Sequence, residues 1–133
     1  MIDIIVDSSV WVAFFNENDY FHEEAYSLIK QLLIEENKII IPEIVFVETL
    51  NTFDLEQFHK KRREIENYWV KSEKVTLYNG GDFFYFTYLP MMKNPNQLKA
   101  SDFTIFAYSK YLRAGLVTFD DKLKKAFETD QNE

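Results

Sequence analysis

Four short apolar runs, Ile2 to Val6, Ile39 to Ile41, Val75 to Tyr78 and Leu116 to Phe119, punctuate the chain, with stretches of helical periodicity between them. Each run is too short for a helix, and the β-branched content suits strands. Strands that read as nearly continuous apolar runs are those buried on both faces. Strands separated by helices are joined by crossovers and lie parallel. The alternation therefore predicts an α/β fold, a three-layer α/β/α sandwich around a parallel sheet.

The intervening segments set the expected boundaries. Asp7-Ser8-Ser9 stops the first strand and starts a helix whose apolar face is Val10, Trp11, Phe14 and Phe15. Phe21 to Ile34 repeats apolar residues at three and four residue intervals. Pro42 opens a helix that carries Glu48, and Leu55 to Lys71 is a charged helix containing Lys60-Lys61-Arg62-Arg63. Asn79-Gly80-Gly81 is the clearest turn signal, followed by an aromatic helix from Asp82 to Met92 with Pro90 in its last turn. Ser101 is the expected cap of the next helix and Gly115 its expected C′ residue. A short helix follows Asp120-Asp121 through Leu123 and Phe127, and residues 128–133 are expected to fray.

With 133 residues, 47% of them hydrophobic, the chain is expected to form a single domain over residues 1–133 with a true core. Thirteen Phe, eight Tyr and two Trp exclude a disordered segment. The lack of Cys excludes disulfide frameworks, thiolate zinc sites and thiol nucleophiles, and fits a reducing compartment. No apolar stretch approaches membrane-spanning length and Met1-Ile2-Asp3 has no basic leader character, so a cytoplasmic protein without a membrane partner is expected. The formal charge of −7 argues against a nucleic-acid coat protein. It leaves a nuclease open, because an enzyme that works through metal ions carries surplus carboxylates.

The placement of those carboxylates is the informative part. Parallel strands with right-handed crossovers put all their C-terminal ends on one edge, where open α/β sheets bind ligands. Asp7 and Asp120 each follow a strand, Glu48 lies in the helix after the second strand, and Asp102 falls in the first turn of a helix. Four carboxylates gathered at one edge repel one another, and the repulsion is relieved by protons or by cations. Mg²⁺ or Mn²⁺, hard ions with oxygen shells, polarise a phosphodiester and acidify an attacking water, which makes phosphodiester hydrolysis the chemistry expected of Asp7, Glu48, Asp102 and Asp120.

Each residue has a plainer reading beside this one. Asp7 and Asp120 are each at least as well placed to cap a helix, Asp102 to oppose a helix dipole, and Glu48 to sit on a solvated face. Glu48 has apolar neighbours in Val45, Phe46, Val47 and Leu50, which is unusual company for a solvated charge. Ser9 and Thr118 are candidates to orient the carboxylates by hydrogen bonding, with a helix cap and a strand filler as the respective alternatives. Asp121 is either a further ligand or a cap. Lys60, Lys61, Arg62 and Arg63 are equally a solvated face and a phosphate-attracting patch, and Lys99 is a second candidate for the substrate backbone. The aromatic run Phe83 to Tyr88 reads as core or homodimer interface in preference to base stacking.

These residues carry a family resemblance. Ile4-Ile5-Val6-Asp7-Ser8-Ser9-Val10, Val47-Glu48-Thr49-Leu50-Asn51, Ala100-Ser101-Asp102-Phe103-Thr104-Ile105 and Leu116-Val117-Thr118-Phe119-Asp120-Asp121 resemble, in order and separation, the motifs of PIN-domain metal-dependent ribonucleases, and within them the small VapC-like toxins. The resemblance implies a Rossmann-like parallel sheet, an Mg²⁺ or Mn²⁺ site at Asp7, Glu48, Asp102 and Asp120, an RNA substrate, a homodimer and an antitoxin partner. Two other functions are weighed against this endoribonuclease: a PIN-fold module that regulates a partner without cutting, and a structure-specific DNA nuclease, for whose helical insertions the chain has little room.

Overall fold

The computed structural model describes residues 2–53 and 55–131. Four strands form one parallel sheet: β1 (Asp3–Val6), β2 (Lys38–Pro42), β3 (Val75–Tyr78) and β4 (Gly115–Val117), in the order β3-β2-β1-β4. In the register, Ile4 faces both Ile39 and Gly115, and Ile39 faces Val75. Ile4, Ile5 and Val6 of β1 and Ile39, Ile40 and Ile41 of β2 are all buried. The two central strands thus justify the apolar runs seen in the sequence, because helices cover both of their faces.

Helices α1 (Ser8–Phe15) and α2 (His22–Ile34) connect β1 to β2, and α3 (Glu43–Asn51) and α4 (Leu55–Lys71) connect β2 to β3. The return from β3 to β4 runs through α5 (Gly81–Phe83), a widened π turn over Phe84–Tyr88, α6 (Leu89–Met91), a 3₁₀ turn at Pro95–Gln97 and α7 (Ala100–Tyr111). Helix α8 (Asp121–Gln131) follows β4. With right-handed crossovers, the first two connections cover one face of the sheet and the reversed third connection covers the other, giving the three-layer α/β/α sandwich. Two aromatic clusters bind these layers. Trp11 of α1 stacks on Phe15 at 5.8 Å between centroids and meets Trp69 of α4 edge-on at 5.5 Å. In the third connection, Phe84 lies flat on Tyr108 of α7 at 3.8 Å.

Several local expectations are revised. The aromatic helix expected from Asp82 to Met92 is broken into α5, the π turn and α6. Pro90 lacks an N–H and its ring crowds the carbonyl one turn earlier, so a regular α-helix does not pass through it. The widened turn lets Phe84 and Tyr88 pack together against Tyr111. Gly115 is not the C′ residue of α7 but the first residue of β4. The helix closes two residues earlier through Arg113 N–H to Lys110 O (3.2 Å) and Ala114 N–H to Ser109 O (2.9 Å), with Arg113 at φ 52°. This is a Schellman closure built on a non-glycine residue. Helix α2 ends the same way, with Glu36 at φ 62°. Ser101 is not the cap of α7, which begins after Lys99. The expected frayed tail from Glu128 is helical to Gln131, where Asp130 pairs with Lys110 of α7, and residues 132 and 133 lie outside the described ones. The turn at residues 79–81 is as expected: Gly81 has φ 67° and its N–H donates to Asn79 Oδ1 at 2.8 Å.

A carboxylate cleft at the sheet edge

The connections run from β1 outward to β2 and β3, then return past β1 to β4, so the chain changes direction between β1 and β4. Such a switch point opens a crevice beyond the strand ends. Asp7 leaves β1 and Thr118 to Asp120 leave β4 at that crevice. A cleft of about 480 Å³ there is lined by Asp7, Glu48, Asp102 and Asp120, with Ser8, Ser9, Val12, Asp19, Phe21, Thr52, Lys99 and Phe119. A larger depression of about 770 Å³ lies at the C-terminal end of α1 between α2 and α4, but none of the four carboxylates lines it.

Asp7 is 3% exposed, and its charge is met by hydroxyls. Its Oδ2 accepts from Thr118 Oγ1 at 2.7 Å and from Ser9 Oγ at 2.9 Å. Asp7 occupies the cap position of α1 yet makes no capping bond with its side chain. Ser9 therefore resolves toward support of Asp7, and its Oγ also accepts the Phe119 N–H at 3.1 Å. Ser8, not anticipated from the sequence, stands between two acids, with its Oγ 3.4 Å from Asp7 Oδ1 and 3.3 Å from Glu48 Oε1.

Burial, followed by the nearby charge of Asp7, holds the Glu48 carboxyl above its ordinary value; hydrogen bonds from Ser101 and Ser8 offset part of this rise. Ser101, free of any capping duty, is thus a partner of Glu48. Burial also raises the Asp102 carboxyl, followed by the charges of Asp120 and Asp7, while Lys99 and Lys122 pull it down. Asp120 does both jobs the sequence left open: it lines the cleft, and its Oδ1 accepts the Leu123 N–H at 2.8 Å to cap α8. Asp121 is exposed in the first turn of α8 and does not line the cleft. Among the described residues, no three His, Asp or Glu side chains are disposed to hold a metal ion as they stand. The chemistry of the side chains nonetheless fits one: four carboxylates whose mutual repulsion and burial a hard divalent cation would relieve.

The basic candidates separate. Lys99 lines the cleft. The run from Lys60 to Arg63 does not; Lys61 Nζ donates to Phe15 O at 2.6 Å, at the far end of α1, and Arg62 Nε donates to Glu66 at 2.9 Å. Within the expected core or interface segment, Phe84 is core, whereas Phe83 and Phe86 are exposed.

The family model for the PIN domain matches residues 4–128. The chain belongs to the PIN-domain family. Solved structures resemble it along nearly its whole length. Mycobacterium tuberculosis VapC20, described as a sarcin-ricin loop cleaving toxin, is 20% identical with a TM-score of 0.70, over 92% of this chain and 94% of that one. VapBC2 from Rickettsia felis, solved bound to a DNA fragment from its promoter, is 16% identical with a TM-score of 0.68, over 94% and 93%. Among curated protein sequences, none matches. Among the described residues of this PIN domain, no helix is long and apolar enough to cross a membrane.

Proposed function

We propose that this PIN domain is a metal-dependent endoribonuclease and the toxin of a toxin–antitoxin pair. The observation that carries the reading is the convergence of Asp7, Glu48, Asp102 and Asp120, from four separate stretches of the chain, on one cleft at the switch point of a PIN fold. The described activity of VapC20 and the pairing in VapBC2 support the RNA substrate and the antitoxin partner.

Asp7, Glu48, Asp102 and Asp120 would hold Mg²⁺ or Mn²⁺, which when bound supplies polarisation of the phosphodiester and an acidified water. The chain's own contribution is orientation. Thr118 and Ser9 fix the Asp7 carboxylate, and Ser8 and Ser101 hold Glu48. Lys99 offers a cation to the substrate backbone at an otherwise acidic site. The exposed Phe83, Phe86 and Met91 are available to a homodimer contact.

Asp7→Asn tests the reading: it should abolish Mg²⁺- or Mn²⁺-dependent cleavage of RNA while circular dichroism shows an intact fold. Undiminished cleavage by this variant removes the proposal. A second reading is a PIN-fold binding module that does not cut. It expects no turnover by the unaltered protein on any RNA with either metal.

A further inference from the structure

One wall of the carboxylate cleft is aromatic. Phe21, 44% exposed, lines the cleft and rests on Phe119 with ring centroids 5.3 Å apart. Tyr20, 92% exposed, stands edge-on to Phe21 at 5.0 Å. The loop holding them is organised by its own side chains. Asn18 N–H donates to Asn16 Oδ1 at 3.1 Å, and Phe21 N–H donates to Asp19 Oδ1 at 2.8 Å. Asp19 also lines the cleft, so an Asx turn fixes the segment that presents Phe21.

The electrostatics make this wall significant. The chain carries a net charge of −7, and Lys99 is the one cationic residue lining the cleft among the described residues. A polyanion is therefore repelled by the protein as a whole, and its binding has to draw on something other than bulk charge. Stacking of a base on an aromatic ring is such a term, because it depends on neither net charge nor base identity.

We propose that Phe21, backed by Phe119, is a stacking platform for an unpaired nucleobase next to the scissile phosphate, so that the cleft takes single-stranded RNA. The proposal rests on the ribonuclease reading and deepens it. A base inside a duplex has both faces covered by its neighbours and offers no free face to Phe21. Phe119 supports Phe21 from below, and Lys99 engages the backbone of the same strand.

The test is a titration of the Asp7→Asn protein, chosen to block turnover, with a single-stranded oligoribonucleotide carrying a fluorescent purine analogue. Stacking quenches the analogue. Adding Phe21→Ala should weaken binding about tenfold and abolish the quenching caused by protein, Phe21→Trp should restore both, and the same strand annealed to its complement, its analogue already stacked between neighbouring bases, should show no further quenching when protein is added. Phe21→Ala binding as tightly as its parent, a parent that gives no quenching, or a duplex that quenches equally would each overturn the platform. Cleavage by the unaltered protein is measured separately, and its absence counts against the ribonuclease reading alone.

Discussion

Thr118 Oγ1 donates to Asp7 Oδ2 at 2.7 Å, joining residues 111 positions apart just beyond the ends of two neighbouring strands. Both residues are buried, so the bond is shielded from water. The same Thr118 oxygen accepts the Asp120 N–H at 3.0 Å. One hydroxyl therefore spans the crevice and sets the positions of two of the four acids.

Thr118→Val keeps the shape and removes this donor. A hydrogen bond to a charged, buried group is worth about 1.5–3 kcal/mol, and the variant should lose stability in that range. Denaturant titration of both proteins measures it. A loss well under 1 kcal/mol would show that water replaces the hydroxyl.

The raised carboxyls of Glu48 and Asp102 give a pH dependence whose sign can be worked out. A group whose folded value lies above its unfolded value stabilises the fold fully below the unfolded value and loses that contribution as pH rises through the folded one. The ordinary values are 4.5 for Glu48 and 3.8 for Asp102, so the loss sets in above these pH values. In chelator, Glu48→Gln and Asp102→Asn should melt higher than the parent at neutral pH, with the difference shrinking as pH falls toward 4. Thermal melts across this range check the trend. A difference that is constant with pH would mean that charge repulsion is not its cause.

Arg113 ends α7 in the left-handed region at φ 52°, and it is exposed. A side chain there costs about 1–2 kcal/mol relative to glycine. The extra freedom glycine has in the unfolded chain offsets part of that cost. Arg113→Gly should therefore stabilise the protein by about 0.5–1 kcal/mol, seen as a higher melting temperature. An unchanged or lower melting temperature would indicate that the arginine makes a compensating contact.

The apolar runs and the helical spacing between them were sufficient to specify the layered parallel architecture, although burial on both faces holds only for β1 and β2, and the edge strands β3 and β4 are partly exposed. The runs also placed Asp7 directly past the end of β1, since that position follows from the strand boundary itself, whereas β4 ends at Val117 and not at Phe119 as expected, so Asp120 lies three residues beyond it. Local punctuation was less legible. Gly115 looked like a helix stop, yet Arg113 and Glu36 take the left-handed residues of the two closures, because closing hydrogen bonds and packing outweigh a cost of about 1–2 kcal/mol. What only the tertiary structure decided is which side chains meet. That Thr118 and Ser9 donate to Asp7, that Ser101 serves Glu48 instead of capping α7, and that Phe21 turns toward the acids all depend on contacts between distant segments. Local sequence periodicity reports which side of an element is buried but carries no record of what lies opposite it.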